Sequence, residues 1–113
     1  MRQLEQVFKV LADSNRMRIL KLLEKRKMCV CELASILGIT QPSVSRHLKK
    51  LKRSQLINEE QDSFWTNYYL ARSKNLYVRA LLVNLKSWLN NDKRISDDLK
   101  KAEKINRHQL CRK

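Results

Sequence analysis

Glycine and proline are almost missing from these 113 residues: Gly38 and Pro42 are the only ones. One glycine is too few for a phosphate-cradling glycine loop. Both turn formers fall at a single junction, which they therefore specify sharply. Histidine is scarce too, occurring only as His47 and His108. Neither lies near a Cys or Ser at a spacing that pairs a nucleophile with its base, so an enzyme is not expected. Three cysteines are an odd number and make no disulfide framework. In a reducing cytosol such thiols are expected to be free, metal-bound or redox-sensing. No stretch reaches the roughly 18 apolar residues of a membrane span. The opening Met1-Arg2-Gln3-Leu4-Glu5-Gln6 lacks the apolar core of a signal peptide. The expectation is a cytoplasmic protein with no membrane partner.

Acidic residues are the other shortage. There are 11, against 25 Lys and Arg, which leaves a net charge of +14. Such an imbalance costs self-repulsion and suits a polyanionic partner, most simply nucleic acid. The charge is spread along the chain rather than confined to one amphipathic stretch, which argues against a membrane-surface helix. No internal repeat, low-complexity linker or second domain is visible, so 1–113 reads as one small domain. A core of that size is modest, and a dimer that shares it would help.

What is present is mostly helical periodicity. Leu4, Val7, Phe8 and Leu11 predict a helix over 2–12. Asp13-Ser14-Asn15 interrupts it and offers Ser14 as the N-cap of a second helix carrying Met17, Ile19, Leu20, Leu22 and Leu23. A short third helix holds Val30, Leu33, Ala34, Ile36 and Leu37, and Gly38 ends it. Thr40 is placed to cap a fourth helix with Pro42 in its first turn. After Ser54 the period changes. Leu56-Ile57-Asn58 and Phe64-Trp65-Thr66-Asn67-Tyr68-Tyr69-Leu70 are β-branched and aromatic, separated by polar 59–63, and predict a hairpin with a longer loop. Helices are expected again over about 74–91 and 95–108, with 107–113 fraying. The fold class is mainly α with a small β-hairpin: a helix-turn-helix over 30–54 followed by a wing over 56–70.

No acidic residue occurs from Leu33 to Asn58. Val44, Leu48 and Leu51 form the inward stripe of the fourth helix and turn its other face outward. Gln41, Ser43, Ser45, Arg46 and His47 lie in its N-terminal half, the part a recognition helix uses to reach base edges in the major groove. Gln can pair with adenine and Arg with guanine. Lys49, Lys50, Lys52 and Arg53 are expected to meet phosphates. His47 is read as a base or phosphate contact in preference to a lone metal ligand. The bland alternative, a solvated basic face, loses ground because a tight turn and a hairpin flank the helix.

Cys29 and Cys31 stand at the start of the third helix, just after Lys25-Arg26-Lys27. The helix dipole and these cations are expected to favour thiolate. Successive helical residues lie about 100° apart, so positions i and i+2 diverge. Joint binding of one ion therefore predicts that the first turn unwinds or shifts. Thiolates select soft ions, and two local sulfurs favour a low-coordinate centre over four-coordinate zinc. The alternative is that both are small buried hydrophobes. Cys111 supplies a third sulfur if the tail folds back, within the chain or across a dimer, with His108 on the same helical face. Otherwise the tail is frayed and irrelevant.

Together these motifs make the chain resemble the ArsR/SmtB family of winged-helix metalloregulators from about Leu11 to Leu70. Leu11-Ala12-Asp13-Ser14-Asn15-Arg16-Met17-Arg18-Ile19-Leu20 is similar to the family's second-helix opening. Cys29-Val30-Cys31-Glu32-Leu33 is similar to the thiol motif of its arsenic-sensing branch, and Gln41-Pro42-Ser43-Val44-Ser45-Arg46-His47-Leu48 to its recognition helix. The resemblance implies a homodimer joined through helices at 1–12 and 74–108, bound to double-stranded operator DNA at its own promoter. It implies release when As(III) or Sb(III) binds Cys29 and Cys31, with no organic cofactor. Ala34 stands where some members carry a third cysteine, so either two sulfurs suffice or Cys111 is the third. The helix over 74–91 has no Asp, Glu or His, which disfavours the branch that binds zinc or nickel there. The rival readings are a thiol-based redox or reactive-sulfur sensor of the same fold, and a packaging protein without sequence preference.

Overall fold

The computed structural model describes residues 1–111. The expectation of fraying over 107–113 falls partly outside them, at Arg112 and Lys113. In chain order the elements are α1 (Arg2–Leu11), α2 (Ser14–Leu23), α3 (Val30–Leu37), α4 (Gln41–Arg53), β1 (Ile57–Asp62), β2 (Trp65–Leu70), α5 (Leu76–Leu85), α6 (Lys93–Lys104) and α7 (Arg107–Leu110). No helix among the described residues is long and apolar enough to cross a membrane.

Helix boundaries follow local hydrogen bonding. Asp13, not Ser14, caps α2, because its Oδ1 accepts from the Arg16 N–H at 3.0 Å. Gly38 closes α3 in the left-handed region (φ 71°), its N–H bonded to the Ala34 carbonyl. Two residues later the Thr40 hydroxyl accepts from Ser43 N–H, and Pro42 occupies the opening turn of α4, as its sequence position predicts. The helix-turn-helix is thus held by one residue with a positive φ and one side-chain cap.

Elsewhere the elements depart from expectation. The polar run 59–62 is not loop but strand: β1 and β2 pair antiparallel from Ile57↔Leu70 to Asp62↔Trp65, leaving Ser63 and Phe64 as the turn. Glu59 and Glu60 are tolerated in this exposed strand because Lys52 and Lys27 pair with them. The expected helix over 74–91 stops at Leu85, and the following turn contains Leu89 at a positive φ of 66°. Asp92 then caps α6 through the Ile95 N–H. The expected helix over 95–108 breaks after Lys104, where Ile105 is extended, and Asn106 caps the short α7.

The core gathers around α2. Ile19, Leu20 and Leu22 are fully buried together with Met28, Leu33, Val44, Leu48, Leu51, Leu56 and Ile57. Three buried cations on the same helix anchor its neighbours. Arg16 Nε–H donates to the Val10 carbonyl, and the Arg18 guanidinium forks onto Asp98 of α6 at 2.8 and 2.9 Å. Lys21 Nζ donates to Leu85 O, Glu24 and Asn90. Met28 exchanges two backbone hydrogen bonds with Tyr68, which pins the start of α3 against β2. That bridge decides where the neighbouring cysteine sits.

Candidate functional site

Cys29 follows Met28 directly and is the N-cap of α3, with extended backbone (φ −95°, ψ 172°). Because it stands outside the helix, the divergence expected of residues two apart does not apply. Its Sγ lies 3.5 Å from that of Cys31. The first turn therefore need not unwind for the two sulfurs to act together, contrary to the sequence expectation. The tail also folds back within the same chain. Cys111 is buried, its Sγ 4.0 Å from that of Cys29, and it is joined to Cys31 as a disulfide. The three sulfurs all lie within 4.8 Å of one another. His108 is not part of the cluster, because its ring meets that of Trp65 edge-on at 4.9 Å.

Sequence reasoning missed two charged groups around the sulfurs. Glu32 is 2% exposed, and its Oε1 accepts from Cys29 N–H at 3.0 Å, Cys29 Sγ at 3.3 Å and Arg107 Nη2 at 2.8 Å. Its Oε2 accepts from Arg26 Nη1 at 2.9 Å. The reach from the third helical position back to the N-cap amide is the return half of a capping box, and the Cys29–Glu32 spacing was the available signal. Arg107 had no such signal, since only the folded tail brings it near.

Electrostatics also differ from expectation. Burial pushes the Cys29 thiol above its ordinary range, and the Glu32 carboxylate beside it adds to that. Two of the three cations meant to favour thiolate are paired with other groups: Arg26 with Glu32 and the Ala102 carbonyl, Lys27 with Glu60. Burial alone would raise Glu32, but the Cys29 amide, Arg107 and Arg26 outweigh it and hold the carboxylate below its usual range. A cavity of about 380 Å³ opens beside Cys31 and Cys111, bordered by Trp65, Tyr68 and Phe64 of the hairpin and by Gln41 at the start of α4.

On α4 the inward stripe is as expected: Val44, Leu48 and Leu51 are buried. Gln41, Ser45, Arg46, Lys49, Lys50 and Arg53 are exposed, and Ser43 is half-buried. Arg46 Nη2 donates to Ser43 Oγ at 3.1 Å. Two members of the predicted set are otherwise engaged. Lys52 Nζ donates to Glu59 Oε1 of β1 at 2.6 Å. His47 is half-buried, and its Nδ1 lies 3.2 Å from Arg16 Nη1. Burial, with Arg16, Lys50 and Arg46 adding to it against Asp13, lowers the affinity of the His47 ring for a proton.

The architecture and the sequence both have known relatives. Residues 13–59 match the family model described as "Bacterial regulatory protein, arsR family". The chain is 34% identical over 91 residues to the arsenic resistance transcriptional regulator ArsR1 of Pseudomonas putida, covering 76% of this chain and 71% of that protein. It is 42% identical over 71 residues to the arsenical resistance operon repressor of Bacillus subtilis, covering 62% and 68%. Among solved structures it is similar to the homodimeric winged helix-turn-helix DNA-binding domain of a possible ArsR-family regulator from Mycobacterium bovis. That likeness has a TM-score of 0.64 and 26% identity, over 75% of this chain and 76% of the other. A capped helix pair with a basic outer face, a hairpin wing behind it and this sequence kinship lead to one assignment: the chain belongs to the ArsR family and is a winged helix-turn-helix transcriptional repressor, not an enzyme.

Proposed function

We propose that this repressor is a cytoplasmic homodimer that holds operator DNA through α4 and releases it when As(III) or Sb(III) binds Cys29, Cys31 and Cys111. The observation that carries the reading is the meeting of three sulfurs within 4.8 Å. Trivalent arsenic takes three thiolates in a pyramid, and soft sulfur ligands favour it over hard cations. With the Cys31–Cys111 pair reduced, arsenous acid exchanges three hydroxyls for three thiolates, and the three thiol protons leave as water. The kinship with arsenical resistance repressors supports this choice of inducer. On DNA, Gln41, Ser43, Ser45 and Arg46 read base edges while Lys49, Lys50 and Arg53 meet phosphates. Lys52 and His47 reach DNA only by leaving Glu59 and Arg16. The half-sites lie about one helical turn apart, as dimeric helix-turn-helix proteins require.

A second reading is favoured by the pairing of Cys31 with Cys111: the same repressor responds to thiol oxidation. One titration separates the two. Reduced protein on its own promoter fragment is titrated with As(III), wild type beside Cys29→Ser and Cys111→Ser. Release by wild type but not by Cys29→Ser supports the metalloid switch, and the Cys111→Ser curve decides between two sulfurs and three. A wild-type complex that survives excess As(III) sinks the first reading. If oxidant then releases it in wild type and Cys29→Ser but not in Cys111→Ser, the second stands.

A further inference from the structure

Cys29 and Cys31 are neighbours before anything binds, so a ligand there has little to move within α3. The sulfur that arrives from elsewhere is Cys111, 82 residues after Cys29 and at the end of the short α7. The Cys111 N–H bonds to the Arg107 carbonyl at 2.7 Å, so one helical turn links the sulfur rigidly to Arg107. The Arg107 guanidinium then joins three elements. Its Nη2 donates to Glu32 of α3 at 2.8 Å and to Asn67 Oδ1 of β2 at 2.6 Å. It also lies 4.9 Å from the centre of the Trp65 ring, at the tip of the wing. Both acceptor residues are buried. The Trp65 ring also meets that of His108 edge-on, and its Nε1–H is buried without a partner among the described residues. The wing is in turn tied to α4 by Glu59 and Lys52.

We propose that Arg107 and Trp65 are positioning residues that couple the thiol site to the wing, a proposal that rests on the ligand reading above. A bond that ties Cys111 to the α3 sulfurs fixes α7, and Arg107 passes that constraint to Trp65 and Asn67. The wing is thereby set relative to α4, and DNA affinity changes without any unwinding of α3. The structure holds the tied state, with Cys31 and Cys111 joined. Arsenic bridging the three sulfurs ties the same segment.

The test uses the full chain in a Trp88→Phe background, where Trp65 is the one remaining tryptophan. Wild type, Arg107→Ala and Arg107→Lys are titrated with arsenite. Binding is followed by sulfur-to-arsenic absorbance, the wing by Trp65 emission and DNA release by anisotropy. Arg107→Ala is expected to lose the Trp65 response and, compared at equal arsenite occupancy read from the absorbance, to hold DNA about tenfold more tightly than wild type, a common size for coupling between sites. Arg107→Lys keeps the charge but not the fork, and is expected to show the same split in smaller measure. Identical DNA release at equal arsenite occupancy in all three overturns the proposal.

A second arm uses the azo oxidant diamide, which takes two electrons and two protons from the Cys31 and Cys111 thiols, forming the disulfide and becoming a hydrazine. A Trp65 response to that bond in wild type, lost in Arg107→Ala, supports the coupling even if arsenite never binds. A response unchanged by Arg107→Ala overturns it. Failure of the ligand reading and failure of the coupling are thus told apart.

Discussion

At the scale of single residues, His47 carries a consequence that its place on α4 hides. Arginine has no acceptor, so the contact with Arg16 Nη1 requires an unprotonated Nδ1 on a neutral ring. Folding lowers the proton affinity of this ring below its ordinary 6.5, through burial first and neighbouring cations second. Between the folded value and 6.5 the unfolded chain therefore binds the extra proton. The stability His47 contributes is complete above 6.5 and is lost as pH falls through the folded value. The urea midpoint is expected to be flat on the alkaline side of that window and to drop below it, with a shallower drop in His47→Gln. Equal pH slopes for the two proteins would count against the Arg16–His47 contact. Asp13 is also held below its usual range: burial would raise it, but the Arg16 and Asn15 amides and the neighbouring Arg16 and His47 charges together outweigh burial, and its contribution fades only in more acid solution below 3.8, a separate window. The sequence placed His47 on the DNA-facing half of a basic helix. It gave no sign that this side chain leans back over Arg16, because that depends on how α4 crosses α2.

At the scale of elements, α6 depends on one buried ion pair. Asp98 is 2% exposed, and its two oxygens accept from Nε and Nη2 of Arg18. The same hydrogen bond raises the proton affinity of Arg18 further. Removing one member of such a pair strands a buried charge, so Asp98→Ala is expected to cost about 3–5 kcal/mol. Urea unfolding at neutral pH measures it, and a loss under about 1 kcal/mol, the scale of an exposed pair, would mean that α6 is held without this pair. Nothing local in the sequence pairs Asp98 with Arg18, since a carboxylate on a basic segment does not announce a partner 80 positions earlier. The helix-turn-helix, by contrast, was legible in detail. Gly38, Thr40 and Pro42 act through bonds no longer than a turn, and their roles follow from residue type. The hairpin was legible as an element but not in its length, because Glu59 and Glu60 look like loop until Lys52 and Lys27 are brought beside them.

At the scale of the whole molecule, apolar surface remains on α1 and beside it. Phe8, Leu76, Tyr77, Val83 and Trp88 are between 44% and 75% exposed, although a net charge of +14 favours keeping chains apart. In the proposed homodimer, a second copy covers them through the α1 and α5 faces; the Mycobacterium bovis relative is homodimeric. The double variant Leu76→Lys with Val83→Lys is expected to sediment as a monomer and to lose most of its operator affinity, because two half-sites then bind independently. A double variant that stays dimeric would move the interface elsewhere.

Composition, periodicity and three turn-forming residues by themselves determined the fold class, the order of the main elements, the inward stripe of α4 and the pairing of Cys29 with Cys31 as a candidate site. These rest on interactions within a few residues, which a linear chain displays openly. Only the tertiary structure decided that Cys111 completes the sulfur cluster within its own chain, and that Glu32 and Arg107 surround it. It also decided that burial pushes the Cys29 thiol up rather than down. Each of those depends on contacts between groups far apart in the chain, and their energies come from burial and from partners that no local pattern contains.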